Sequence, residues 1–393
     1  MGSTIPQATS STASLPDASS PNLILTHPTS AERTRTWKLT HAKWAGALNE
    51  ADYLAREAYM MTVPLAKNGG LTHWILTIAG LPPDERPVLS SCETLRKRGI
   101  LTRGGGDGAR VQEGMVYGIG SVFTDPTYRG KGYASRMMKE LGAKLRDWQR
   151  GGSSPPLFSV LYSDIGKQFY ARAGWAPFAS SHVAFKPVSG AAQRDQGSST
   201  QLAKPIGYHE LAELCCLDEK LMRADLVRRP AGKTHVALIP ELDQMLWHLM
   251  REDFITKCIF GRTPTVKGAV AGEPGKRIWA VWTRGYHNGL ETSKGNTLHV
   301  LRVVVEDEKR PEEELVDGFR AVMQIAQTEA AEWNTEEVQM WNPTPKVRGI
   351  IERCGLEFEY VDRDTSSIAS LKWYGDEPIE EVDWVANEKY AWC

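Results

Sequence analysis

The sequence predicts an α/β protein with mixed sheets, built as two halves of similar strand–helix order. Three observations carry that expectation. An extended apolar stretch, Val116 to Thr124, enters a glycine-bearing turn, Thr127 to Ala134. A helix leaves this turn with Ala134, Met137, Met138, Leu141, Leu145 and Trp148 at helical spacing. Past a polar, Ser-, Gly- and Gln-rich stretch from Pro187 to Pro205, strands and helices alternate again.

The first half reads in order as follows. Asn22 to Thr26 is a short strand, and Trp37 to Met61 is largely helical with a break near Gly46. Trp74 to Ile78 and Val88 to Leu95 are strands joined by the Pro-rich turn Leu81 to Pro87. Arg103 to Gly108, with three successive glycines, is a hairpin connection. After the break Gly151 to Pro156, Leu157 to Leu161 reads as a buried strand. Ser163 to Trp175 holds a short helix whose end at Gly174 suits a left-handed cap.

The second half repeats the pattern. Leu242 to Phe260 is a helix, Arg277 to Thr283 and Thr297 to Val305 are strands, and Glu313 to Glu332 is a long helix. Val338 to Trp341 is a strand, Lys346 to Arg353 a helix ending in Cys354-Gly355-Leu356, and Ile368 to Tyr374 the last strand. These elements set the expected organisation: a disordered tail over 1–21, a first domain over 22–187, a linker over 188–205 and a second domain over 206–393.

Composition narrows the function. With 393 residues, 41% hydrophobic, the chain has material for two cores, and its formal net charge of −1 gives no electrostatic footprint for nucleic acid. No apolar run approaches the roughly 18 residues of a membrane span. The six cysteines, Cys92, Cys215, Cys216, Cys258, Cys354 and Cys393, form no C-x-x-C pair, and no His cluster has zinc spacing. Buried, reduced cysteines and no structural metal are expected. The tail is rich in Ser, Thr, Ala and Pro, carries Asp17, and has no Lys or Arg before Arg33, unlike a transit peptide. Pro6 stands where myristoylation wants Ser or Thr. The expected compartment is the cytoplasm; oligomeric state is left open.

The chemistry concentrates in the turn. Unpaired N–H groups and a partial positive charge mark the first turn of a helix, and glycines let a phosphate approach closely. The local pattern Arg129-Gly130-Lys131-Gly132-Tyr133-Ala134 fits neither G-x-x-x-x-G-K-[ST] nor G-x-G-x-x-G. This R-G-x-G-x-A string resembles the coenzyme A pyrophosphate loop of the GNAT acyltransferase superfamily. The Tyr-bearing helix ending in Gly174-Trp175 resembles the second signature of that superfamily. The second half resembles a degenerate GNAT unit, because a carboxylate-rich run, Glu306 to Glu314, replaces its glycine turn and repels pyrophosphate.

More specific segments narrow the resemblance. Gly70-Leu71-Thr72-His73-Trp74, Leu81 to Pro87, Ser91-Cys92-Glu93-Thr94-Leu95, Gly118 to Phe123, Tyr162 to Gly166 and Leu246-Trp247-His248 are similar to the fungal lysine N6-acetyltransferase family, from about residue 22 to the end. The resemblance implies transfer of acetyl from acetyl-CoA, without a metal, to the side-chain amine of free L-lysine in lysine catabolism. It implies a sheet splayed between two central strands, with Val122, Phe123 and Thr124 pairing with pantetheine. Arg129, Gly130, Lys131, Gly132, Tyr133 and Ala134 would hold the diphosphate, and Ser163 would touch the pantetheine arm where Asn is common. Thr127 replaces the usual Gln or Arg.

An alkylammonium with pKa about 10.4 must lose a proton before it attacks a thioester. Glu93, on a strand bordering the cleft, is the favoured base, with Glu113 and His73 as alternatives. A backbone N–H near Phe123 suits the oxyanion. The family motif implies Tyr170 as the acid for the leaving thiolate. The α-amine of lysine is the better nucleophile at neutral pH, so selectivity must come from positioning, with an Arg or Lys on the carboxylate. The second half is a candidate source of such a group or of a pocket wall; Trp341, in Trp341-Asn342-Pro343, reads first as a core residue and alternatively as part of that wall, and Trp392-Cys393 stands within reach of the cleft. Other acceptors, a polyamine or a protein lysine, and a non-catalytic CoA sensor are the rival readings.

Overall fold

The structure is a computed structural model that describes residues 15–103, 110–150, 155–189 and 202–392. Most of the expected tail, the glycine run after Arg103, the start of the 151–156 break, much of the polar stretch and Cys393 lie outside the described residues. In the first half, β1 (Leu23–Thr26), α1 (Ser30–Trp44), α2 (Glu50–Met60), β2 (Leu71–Ile78), β3 (Ser90–Thr102) and β4 (Gln112–Thr124) follow one another. Then come α3 (Tyr133–Lys144), β5 (Phe158–Ser163), the single-turn α4 (Gln168–Ala171), β6 (Ala176–Pro177) and β7 (Ser181–Phe185). The second half holds β8 (Ala203–Ile206), α5 (Tyr208–Arg228), β9 (Thr234–Leu238), α6 (Leu242–Phe260), β10 (Gly268–Ala271), β11 (Ile278–Tyr286) and β12 (Asn296–Val305). It closes with α7 (Glu312–Glu332), β13 (Glu337–Trp341), α8 (Pro345–Arg353), β14 (Phe358–Asp362), β15 (Ile368–Trp373) and β16 (Val382–Trp384).

Two mixed sheets result. The first runs β1-β2-β3-β4-β5-β15-β6, with β9 paired to the far end of β3 and β16 to β9. The second runs β14-β7-β13-β12-β11-β10-β8. Chain halves and sheets do not coincide. β7 pairs with β13 and β14 of the second sheet, while β15 pairs with β5 and β6 of the first. Each sheet is completed by a strand from the other half, so the halves cannot separate without breaking both ladders.

The cores follow from strand alternation. Tyr117 and Ile119 of β4 and Leu161 of β5 pack with Met137, Met138 and Leu141 of α3. The opposite face, with Val116, Phe158 and Val160, packs with Trp279, Val281 and Leu301 of the second sheet. The first sheet therefore has one face on α3 and the other turned toward the second half.

Local chemistry fixes the elements around the cleft. Thr29 and Glu32 form a reciprocal capping box at the start of α1. The fully buried Glu32 carboxylate also meets Arg86 at 2.7 Å, tying the Pro-rich turn to α1. Leu15 and Ala18 pack on the α3 cluster, and Pro16 and Ala18 accept hydrogen bonds from Tyr133 and Arg136. The end of the expected tail is thereby placed beside the glycine turn. α3 ends at Lys144, and Trp148 packs from the turn beyond it. Cys92, Cys215 and Cys354 are buried as expected. Cys216 and Cys258 are exposed, a correction that follows from helix geometry: Cys216 adjoins the inward Cys215 on α5, and Cys258 lies on the outer face of α6.

Candidate active site

β4 and β5 run parallel from Val116↔Phe158 to Ile119↔Leu161, and their pairing stops there. β4 continues to Thr124 on the β3 side only. The register of β3 and β4 shifts between Ser91 and Glu93, and Ser121 opposite the shift takes φ of 53°. A bulge with a non-glycine residue in the left-handed region is uncommon and re-aims the strand beyond it. The backbone groups that β4 aims toward β5 at Val122, Phe123 and Thr124 thus border a splay rather than a ladder. The splay opens into a cleft of about 1230 Å³ lined by both halves.

The glycine turn stands at one end of this cleft. Gly130 and Gly132 have φ of 76° and 81°, and Gly132 caps α3 with no side-chain hydrogen bond. Among the described residues, no backbone acceptor takes the N–H of Gly130, Lys131, Gly132, Tyr133, Ala134 or Ser135. Nothing stands within 4 Å of where a Gly130 Cβ would sit. A Cβ at Gly132 would meet Ala18 at 3.2 Å, so the space before this row of free donors opens on the Gly130 side, and there the helix start fits a diphosphate. Arg129, Gly130, Gly132, Tyr133 and Ala134 line the cleft. Lys131 is exposed and not among the lining residues. Ser163 also stays out of the lining: its hydroxyl donates to Gly166 O at 2.6 Å and accepts from Ile165 N, closing the turn after β5.

Glu93 sits on β3 beside the bulge. Its register partner is Gly120, and its Oε1 accepts from the Ser121 hydroxyl at 2.6 Å. By alternation it shares a face with Leu95, which packs against Trp247 of α6. Burial pushes its carboxyl up to about 7, with the Glu57 charge adding to the shift and the Ser121 bond opposing it. His73 Nε2 lies 3.6 Å from the other carboxylate oxygen. Burial lowers that imidazole to about 4, so it is neutral near pH 7. A small chamber of about 30 Å³ adjoins Glu93, His73 and Ser121 beneath α1, enough to hold a water. Glu113 is not brought to the site. It is bound to Arg98 at 2.8 Å and to Arg223 away from the cleft.

Tyr170 lines the cleft from α4, 8% exposed, with its ring edge-on to Phe169 at 4.9 Å. Burial holds its phenol well above the ordinary value, with the nearby Cys92 and Asp164 adding to the shift. It therefore keeps its proton. From the second half, Trp247 and Arg251 of α6, His299 of β12, Trp341 of β13, and Arg363, Lys389 and Trp392 complete the walls. Glu388 beside them is bound to Arg302, which also holds Asp218 at 2.8 Å, and Lys97 Nζ donates to Ala391 O at 2.8 Å. These bonds fix the last described segment in the cleft. Among the described residues, no group of three His, Cys, Asp or Glu side chains is arranged to hold a metal, and no helix is long and apolar enough to cross a membrane.

Comparison with known proteins agrees with this geometry. Residues 112–178, from β4 through the second signature, match the family of acetyltransferase (GNAT) domains. Residues 182–393, more than half of the chain, match the LYC1 GNAT-like C-terminal domain. The chain belongs to the LYC1-like GNAT acetyltransferases. The family match begins inside β7, the strand that joins the second sheet. The chain is 22% identical to the lysine acetyltransferase of Yarrowia lipolytica, over 94% of this chain and 99% of that one. It is 24% identical to an uncharacterized protein of Saccharomyces cerevisiae, over 92% and 95%. A GCN5-related N-acetyltransferase from Kribbella flavida superposes with a TM-score of 0.51 at 16% identity, covering 89% of this chain and 70% of that chain, which shows the fold. The protein is an N-acetyltransferase of this family, and its fold implies acetyl-CoA as co-substrate.

Proposed function

We propose that this enzyme transfers acetyl from acetyl-CoA to the side-chain amine of free L-lysine. The observation that carries the reading is Glu93: a buried carboxyl, raised to about 7, lining the cleft beside the splay. The fungal relative named lysine acetyltransferase, aligned over nearly the whole chain, supports the acceptor.

In this reading acetyl-CoA supplies the acyl thioester. The amides of Gly130 to Ser135 and the Arg129 side chain hold its diphosphate, and β4 at Val122 to Thr124 positions the pantetheine. Glu93 takes a proton from the ammonium, directly or through a water in the adjoining chamber, leaving a neutral amine. The amine nitrogen bonds to the thioester carbon, and a backbone N–H near Phe123 stabilises the oxyanion. The C–S bond breaks, Tyr170 gives its proton to the leaving thiolate, and the tyrosinate so formed takes back the second proton that the nitrogen sheds as it becomes an amide. Glu93 needs only a pKa near the working pH to serve, since general-base efficiency is greatest there.

Thiol release from acetyl-CoA, followed with L-lysine, spermidine and a histone peptide in parallel, tests the acceptor. Lysine as the one efficient acceptor is the expected result. Turnover confined to spermidine or to the peptide would remove the reading. Lysine catabolism and a cytoplasmic setting are proposals that follow from this acceptor.

A further inference from the structure

Arg363 lies on the loop between β14 and β15 and lines the cleft with only 8% of its surface exposed. Its Nε, Nη1 and Nη2 are buried and have no hydrogen-bond partner, and no carboxylate of a described residue pairs with it. The neighbouring Asp364 is taken by Lys167 at 2.6 Å. A buried guanidinium with every donor idle is costly, because it has lost water and gained no counter-charge. Buried cations of this kind are otherwise paired.

What surrounds it is shaped for a planar anion. The guanidinium carbon lies 3.9 Å from the Trp341 ring centroid, a contact that holds the group in place and engages none of its N–H donors. Lys389 Nζ lies 4.1 Å from the same ring on the second half's wall. Two imidazoles that line the same cleft, His182 and His299, have buried Nδ1 atoms without partners. Both are held neutral by burial, with nearby cations adding to the shift. Burial also draws Arg363 down to about 10, so it keeps its charge at neutral pH. Tyr162 of β5, whose ring stands 5.8 Å from Trp341, shows that the cluster belongs to the face away from α3. That is the face Glu93 shares.

We infer that Arg363, stacked on Trp341, is the anchor for the carboxylate of an amino-acid acceptor. This inference rests on the free-lysine reading and deepens it. A fork of two parallel N–H donors matches a carboxylate, and a fixed carboxylate presents one end of the substrate to Glu93 and the thioester. It answers how the less reactive ε-nitrogen is chosen: the α-amine is held beside its own anchored carboxylate, away from the base.

The test compares L-lysine with cadaverine, which keeps the amine chain and lacks the carboxylate, in the wild-type enzyme and in Arg363→Gln and Arg363→Lys. The readout is the lysine-to-cadaverine ratio of kcat/KM, with acetyl-CoA affinity measured by calorimetry. The wild type should favour lysine by at least about tenfold, and Arg363→Gln should cut the ratio by roughly 10- to 100-fold through the KM for lysine, as for a charge-assisted pair. Arg363→Lys keeps the charge and loses the fork, so its ratio should fall between the two. A wild type indifferent to the carboxylate, or variants in which the ratio is unmoved, would overturn the anchor. So would a loss confined to acetyl-CoA affinity, which would assign the anion to the co-substrate. If the wild type binds acetyl-CoA and acetylates neither amine, the lysine reading itself fails, a result distinct from failure of the anchor.

Discussion

Ser121 donates its hydroxyl to Glu93 across the bulge that opens the sheet, at 2.6 Å. The same residue that bends β4 away from its neighbour also holds the carboxylate at the opening. The geometry of the splay and the placement of the proposed base are thus one local feature.

The first prediction concerns that carboxylate. A base works when ionised, and burial raises Glu93 to about 7. Turnover should therefore rise with pH through about 7 and level off above it. Glu93→Gln is nearly isosteric and cannot accept the proton, so kcat should fall by about 10²- to 10⁴-fold and the rising limb should vanish. A pH–rate profile that keeps its limb in the variant would assign the titration to another group.

Tyr170 should behave differently. Its phenol is held protonated by burial, and its ring lines the cleft. Tyr170→Phe keeps the ring contact with Phe169 and loses the proton. We expect kcat to fall by about 10²-fold with little change in the dissociation constant for CoA. Retained turnover in stopped-flow thiol release would exclude it as the acid.

At the glycine turn, Gly130→Asp adds a charge where open space precedes the free amides. Asp tolerates the left-handed region better than most residues, so the fold should survive with a cost of about 1 kcal/mol. Calorimetric titration with CoA should show binding weakened beyond detection while the melting temperature moves by only a few degrees. Unchanged CoA affinity would contradict the assignment of this turn to the diphosphate.

Much of this site is legible in the sequence because its signals are local. The glycine turn, the period of α3, and the Tyr170 helix each declare themselves within a dozen residues. That Glu93 borders the cleft is legible too, since it stands in a strand next to β4. What sequence could not give is pairing at long range. β7 and β15 each read as an ordinary strand of its own half, and nothing local says that they exchange sheets. α5 is absent from the sequence reading despite Leu211, Leu214, Cys215 and Met222 at helical spacing, because it adjoins a polar stretch. Nothing local in the sequence removes Glu113 as an alternative to Glu93; its long-range bonds to Arg98 and Arg223 do. Arg363 sits in a loop with no motif, and only its orphaned donors reveal it.

The last prediction tests how the cleft is framed. Glu32 is fully buried, ends α1's capping box, and meets Arg86 at 2.7 Å, so α1 and the Pro-rich turn depend on one carboxylate. The Arg86 hydrogen bond draws Glu32 down to about 2 against an ordinary value of 4.5. A depressed carboxylate stabilises the fold at pH above its unfolded value, and that contribution is lost as pH falls from about 4.5 toward 2. Glu32→Gln keeps the shape and leaves Arg86 buried without its charge partner, which should cost about 3 to 5 kcal/mol. Chemical denaturation at pH 7 should show that loss, and the gap between wild type and variant should narrow as pH is lowered through the window from 4.5 to 2. A gap that stays constant over that range would mean that the pair contributes through packing alone, and α1 would then owe its position over the Glu93 chamber to its apolar contacts instead.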